Sequence, residues 1–390
     1  MKVNAKRGGA ILLAAALTLA ACGTEEPADE PDTTPEAAEE PADAEEPVEE
    51  EPDEPDAAAE SFYDGDTVRM IIPFGAGGGT DVNGRFLSEW FTRSMPEVTV
   101  QPENVPGGGG ILGANEFELQ TERDGMTIML TASSNLINEQ LGAAEVRYDT
   151  SNWTPVMGVP HGGVIYIRED LGLEEDLSNL DDIEFITAMR APGGVDTLFL
   201  LAYELLGINY NPVFGYDGAG DTRIAVEQGE SNLDWQTTGA YQTNVEPLIE
   251  AGTHRPFFSA GTREGDTVVR HEAHPDVPTV AEVYEDIHGE PPSGQLWEAY
   301  LEMNNVVFTS QRILWIHNDE PEGVVEEWRN AAIELADDQE FIDAAVENLG
   351  PYTILVGDAL DAVAPDLRIA EENVDFIRDY LETEHGFVMD

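Results

Sequence analysis

The sequence predicts an α/β protein built as two lobes. Three observations carry this: a strand, a glycine loop and a helix follow one another at 67–91; the alternation then continues as β-α-β-α-β to about residue 135; and the same unit returns at 185–207. The first strand is "TVRMII" (67–72), whose apolar alternation suits a sheet. It runs into "PFGAGGGTD", with glycine at 75, 77, 78 and 79. "DVNGRFLSEWF" then sets Val82, Phe86, Trp90 and Phe91 on one helical face, with Thr80 as the expected N-cap. A short strand around "VTV", a second glycine cluster at 107–110 and another helix follow. "GMTIML" is a strand leading into the polar turn "TASSN" at 131–135, and a parallel sheet is the expected product.

In the second unit "EFITAM" is the strand and "RAPGGVDT" (190–197) the glycine loop. "TLFLLAYELLG" is a helix with Leu198, Leu201, Ala202 and Leu205 inward and Gly207 as its stop. "NPVFGYDGAGDTRIAVEQG" adds a strand, a loop at 215–221 and a helix; "NLDWQTTG" adds a strand ending in small polar residues; "RPFFSAG" closes the lobe. From "PDVPTVAEVYEDIHG" onward the chain is expected to return to the first lobe and end in helices. The expected division is therefore 61–165 and 262–390 for lobe 1, and 166–261 for lobe 2.

Residues 1–22 place Lys2, Lys6 and Arg7 before "AILLAAALTLAAC", the order of a secretory signal ending in a lipobox. Cys22, the only cysteine, is the expected lipid-attachment point, which leaves no disulfide within a monomer. Residues 23–60 form an acidic Pro/Ala/Glu tract with almost nothing apolar to bury, expected to be a disordered, extended tether. The localisation that follows is extracytoplasmic and lipid-anchored.

The formal net charge is -61, and residues 61–390 alone hold 61 acidic against 15 basic residues, all of them arginine. A surface so one-signed repels nucleic acid and excludes it as a partner. In molar salt the Debye length falls to about 3 Å, so this acidity fits a salt-loving source.

The glycine loop at 73–81 is not a nucleotide P-loop, because no lysine follows Lys6. Gly108, Gly110 and Gly113 make a formal G-x-G-x-x-G, but "ENVP" separates it from its strand and no acid stands where a ribose would be held; it reads as a turn. No G-x-S-x-G elbow occurs, and His271 and His274 in "HEAH" lack the spacing of paired zinc ligands and read as an exposed loop pair. No catalytic residue, metal or cofactor is therefore expected. What the loops offer is backbone: glycines let N–H groups approach a ligand, and the following helix N-terminus favours negative charge. One such unit on each lobe makes a clamshell able to grip a carboxylate from both sides.

The runs "VRMIIPFGAGGGTD", "ENVPGGGGILGA", "DGMTIML", "RYD" (147–149) and "PDVPTVAEV" (275–283) resemble, in order and spacing, the TctC/Bug family, the solute receptors of tripartite tricarboxylate transporters. The resemblance covers most of 66–360 and implies a type II periplasmic-binding-protein fold, a ligand cleft between two α/β lobes, and closure on binding. It implies an organic acid as ligand and a permease of one large and one small membrane subunit as partner, with the receptor acting as a monomer. Carried over residue by residue, Gly77, Gly78, Gly79, Thr80 and Asp81 meet the ligand from the first lobe, with Ser133, Ser134 and Asn135 from the post-strand turn. Gly193, Gly194, Thr197, Tyr216, Gly218 and Ala219 answer from the second, with Thr237 and Thr238 as weaker candidates. "RAPGGVDT" departs from the family's small, serine-rich loop and brings Arg190 and Asp196 near the cleft; 290–312 is longer than the family's equivalent. Two other roles share this reading of the residues: a receptor that signals to a membrane sensor kinase, and a secreted enzyme on the same scaffold.

Overall fold

A computed structural model describes residues 61–216, 218–309 and 311–389. The signal, Cys22 and the acidic tract lie outside the described residues. Strands β1 (Asp66–Ile72), β2 (Val98–Asn104), β3 (Thr127–Ala132) and β4 (Trp153–Val159) alternate with helices α1 (Gly79–Ser94), α2 (Ile111–Gln120) and α3 (Ser133–Gln140). Then come β5 (Gly163–Arg168), β6 (Phe185–Ala188), α4 (Asp196–Leu206), β7 (Tyr210–Val213), α5 (Ala219–Gln228), β8 (Leu233–Thr237), the short α6 (Thr238–Ala240) and α7 (Glu246–Glu250), and β9 (His254–Ser259). A hairpin of β10 (Thr262–Glu264) and β11 (Thr267–Val269) leads to α8 (Val280–His288) and α9 (Gln295–Asn304). Strand β12 (Arg312–His317) and helices α10 (Val324–Asp337), α11 (Gln339–Leu349), α12 (Gly357–Val363) and α13 (Glu371–His385) complete the chain.

The two five-stranded sheets run β2-β1-β3-β12-β4 and β7-β6-β8-β5-β9. Each repeats one plan, with a single strand reversed in the fourth place: β12 is antiparallel to β3 and β4, and β5 to β8 and β9. The sheets are thus mixed where a purely parallel one was expected. The reversed strand in each is the one by which the chain enters from the other lobe, so connectivity explains it.

The second sheet begins at Gly163, ahead of the expected boundary at 165/166. The expected return at 262 also differs from where the next helices pack, because α8 and α9 lie on α4. Tyr300 Oη and Asn304 Nδ2 both donate to the Ala260 carbonyl at 3.0 Å, and Trp297 Nε1 donates to the Asp266 carbonyl at 3.0 Å, which ties α9 beside β9. Phe308, in the π-helical turn Asn305–Thr309, continues this packing against Phe199 and Trp235. The first sheet is rejoined only at Arg312.

Local expectations fare unevenly. Gly207 ends α4 at φ 65°, in the left-handed conformation that glycine adopts without penalty. On α1 the inward face is rotated from the expected one: Val82 is 49% exposed, while Leu87, Trp90 and Phe91 are buried. Gly84 sets this face, since a Cβ there would lie 2.6 Å from Ile72 Cδ1, so the helix packs its bare backbone on the sheet. The N-cap is Gly78, and Thr80 sits buried inside the first turn. His274, expected on an exposed loop, is buried against Tyr241.

Asp234 on β8 is fully buried, accepting from Tyr166 Oη at 2.9 Å and Gln236 Nε2 at 2.8 Å. Burial pushes its carboxyl up to about 6 against these hydrogen bonds. A carboxyl raised above its unfolded value near 3.9 costs stability as pH climbs from about 4 through 6. Asp234→Asn is expected to stabilise the protein by about 2 kcal/mol at pH 7.5 and by nothing at pH 4, read from urea midpoints across that range. An effect independent of pH refutes the assignment.

Candidate ligand-binding site

The two glycine loops leave the carboxyl ends of β1 and β6, the strands flanked by parallel neighbours in each sheet. That edge is where open α/β sheets bind ligands. In the first loop Gly77 turns at φ 80°, and Gly75 through Gly79 are exposed. The Val82 N–H donates to the Gly78 carbonyl at 3.0 Å, so the N–H groups of Gly79, Thr80 and Asp81 head α1 without intrahelical acceptors.

Asp81 does not offer its side chain to a ligand. One oxygen accepts from the Gly77 N–H at 2.8 Å and Arg85 Nε at 3.0 Å, the other from Asn104 Nδ2 and Arg85 Nη2, both at 2.9 Å. Burial works to raise the carboxyl, but the hydrogen bonds from Arg85, Gly77 and Asn104 outweigh it and hold it below its ordinary range. Asp81 is thus an ionised brace that fixes the loop for its backbone donors.

Asp196 repeats this device in the second lobe. It is 2% exposed and accepts from the Arg190 N–H at 2.7 Å, from the Arg190 guanidinium, and from Trp235 Nε1 at 3.2 Å. Arg190 is therefore bound to its own loop and lies over the Trp235 ring. Gly194 turns at φ 77°, matching Gly77, and Thr197 Oγ1 donates to the Pro192 carbonyl at 2.7 Å. A Cβ on Gly193 would meet Phe387 at 3.2 Å, so the C-terminal segment covers that residue.

The expected turn at 131–135 is in fact the last two residues of β3 and the start of α3. Asn135 is fully buried and spends both ends on backbone, accepting from the Ala132 N–H at 3.2 Å and donating to the Gly110 carbonyl at 3.0 Å. It ties the second glycine cluster to the site, and that cluster is a single 3₁₀ turn, Gly108–Gly110. Ser134 Oγ donates to the Gly109 carbonyl at 3.3 Å, and Ser134 Cβ lies 3.7 Å from the Cβ position of Gly194, so loops of the two lobes meet here. Ser133 is 1% exposed and its Oγ has no partner among the described residues.

Of the remaining second-lobe candidates, the Ala219 carbonyl takes Gln236 Nε2 at 2.7 Å, Gly218 caps α5, and the half-buried Tyr216 donates its N–H to the Met189 carbonyl at 3.2 Å. Thr238 is fully buried and accepts from Tyr352 Oη, a hydrogen bond that joins a residue following α11 to α6 of the other lobe.

Sequence reasoning missed Arg312. Its Nη2 lies 3.2 Å from the Cβ position of Gly79, against the first turn of α1. Burial, reinforced by the like charge of Arg190, pulls the guanidinium down to about 10, so it stays charged at neutral pH. His161 is held neutral, pulled down to about 3 by burial and by Arg312, and both ring nitrogens lack partners among the described residues. Nothing in "TSQRILWIH" singles out this one of the fifteen arginines beyond residue 60; only the pairing of β12 with β3 brings it here. A groove of about 770 Å3 lies elsewhere on the first lobe, lined by Glu320, Glu322, Glu326 and Asp358 with Arg329. Its carboxylates repel an anion.

No family model matches the chain. Protein BugT of Bordetella pertussis is 36% identical over 67 residues, which span 17% of this chain and 20% of BugT. Among solved structures, the periplasmic binding protein BugD has a TM-score of 0.56 at 20% identity, covering 80% of this chain and 97% of BugD. MatC from Rhodopseudomonas palustris, solved with bound malate, has a TM-score of 0.53 at 18% identity, covering 81% of this chain and 96% of MatC. These structural likenesses establish the fold, that of a two-lobed α/β periplasmic binding protein. The likeness to BugT is confined to that segment, so the chain matches about one fifth of the length of this relative.

Proposed function

We propose that the chain is an extracytoplasmic solute-binding lipoprotein that captures a small organic acid between its lobes and delivers it to a tripartite tricarboxylate transporter permease. The ligand class is a di- or tricarboxylate or an aromatic carboxylate. The observation that carries this is the matched pair of loops at 73–81 and 190–197, each with a left-handed glycine and each braced by a buried aspartate. Bracing keeps the loops open for their backbone donors, and a helix N-terminus behind each favours an anion. Capture then proceeds by closure of one lobe on the other, which sequesters the solute and presents a new surface to the permease. Cys22 and the tract at 23–60 supply the anchor and tether in this reading, and the solute leaves unchanged, so no catalytic residue, metal or cofactor takes part. The ligand contacts come from Gly79, Thr80 and Asp81 through their N–H groups, with Gly77 and Gly78 shaping the approach.

The test is a thermal-shift screen of the purified chain in molar salt against di- and tricarboxylates, aromatic acids, amino acids and nucleotides. Stabilisation by one class of carboxylate, one-to-one by calorimetry and without product, is the expected result. Silence of the folded protein towards every acid, or a response to nucleotides alone, overturns it.

A further inference from the structure

Arg312 opens β12, paired with Ala132 at the end of β3 and with Val159 at the end of β4. Because β12 runs against both neighbours, its first residue arrives at the carboxyl edge of the sheet, beside the N-terminus of α1. Its Nε is buried and takes no partner among the described residues, and its Nη1 donates only to the adjacent Gln311 carbonyl at 3.1 Å. No carboxylate of the described residues forms an ion pair with it.

In a chain where acids outnumber bases four to one beyond residue 60, an unpaired guanidinium is not for want of carboxylates. Desolvating a cation without a counter-charge is costly, and such groups persist where function needs them. The other two arginines at the loops are already neutralised, Arg85 by Asp81 and Arg190 by Asp196. The charge left over at this edge is that of Arg312, with the unpartnered Ser133 Oγ on the residue after its strand partner.

We infer that Arg312 is a ligand-binding residue that pairs with a carboxylate of the solute, above the free N–H groups of α1. The inference rests on the carboxylate-capture reading and sharpens it: the receptor selects an ionised acid over the same molecule as an uncharged carboxamide. Backbone N–H groups donate to the oxygens of either, whereas a guanidinium fork makes a charge-assisted pair only with the anion. Arginine rather than lysine suits the place, since the planar fork can contact both carboxylate oxygens at once.

Calorimetry of the full chain in molar salt, with malate, adipate and benzoate and the carboxamide of each, tests this. At least one acid is expected to bind the wild type about a hundredfold tighter than its carboxamide. Arg312→Gln should weaken that acid by about thirtyfold or more and leave its carboxamide unchanged, while Arg312→Lys should keep part of the preference. The ligand-free Arg312→Gln protein should melt no lower than the wild type, because it sheds a half-buried charge that has no ion-pair partner among the described residues. Undiminished acid binding in Arg312→Gln, or equal losses for acid and carboxamide with a lowered melting temperature, overturns the inference while leaving the capture reading in place. Failure of the folded wild type to bind any acid in the broader screen removes the capture reading, and the inference with it.

Discussion

Gly113→Val is expected to destabilise the protein by about 3 kcal/mol or more, because α2 rests its backbone directly on the corner where β1 becomes the first glycine loop. A Cβ at Gly113 would lie 2.7 Å from Pro73 Cβ, 2.8 Å from Pro73 Cα and 2.9 Å from the Val105 carbonyl. Two of these are backbone atoms, and the third belongs to a proline ring that cannot swing away. Relief therefore requires the helix to lift or the loop to shift. Gly75→Ala is the control, since nothing lies within 4 Å of its Cβ position and its φ is not positive; it should change the urea midpoint by no more than about 0.5 kcal/mol equivalent. Equal, small effects at both positions would show that Gly113 is a turn residue without a packing role.

Gly79→Val is expected to act the other way, sparing the fold and removing ligand affinity. Gly79 is exposed and opens α1, and its φ is compatible with any residue. A Cβ here meets only Arg312 Nη2, at 3.2 Å. The added branch stands before the free N–H groups of the helix and displaces the guanidinium, so both groups that favour an anion are lost together. Affinity for whichever carboxylate binds the wild type should fall by at least about thirtyfold, ~2 kcal/mol, while the melting temperature of the ligand-free protein moves little. Wild-type affinity in this variant would remove the first loop from the site.

The elements read most accurately in the sequence are those whose signals are local. Gly207 stops α4, and both glycine loops stand between a strand and a helix as their spacing implies. The residues read less well are those whose role depends on what lies across the fold. Asp81, Asn135 and Thr197 sit at the loops as expected, yet their side chains brace backbone. The inward face of α1 departs from its apolar stripe because Gly84, with no side chain to mark it, is the residue packed on Ile72, while the apolar Val82 faces outward.

Composition and period by themselves determined the α/β class, the pair of strand, glycine loop and helix units, and the excess of acid, because each is a property of neighbouring residues or of a sum over the chain. The tertiary structure alone decided that α9 packs beside β9, that Asp196 repeats the role of Asp81, and that Arg312 reaches the head of α1. The physical reason is pairing at long range. Arg312 lies far from Gly79 and Ala132 in the sequence, and only the antiparallel register of β12 on β3 delivers its charge to the loop.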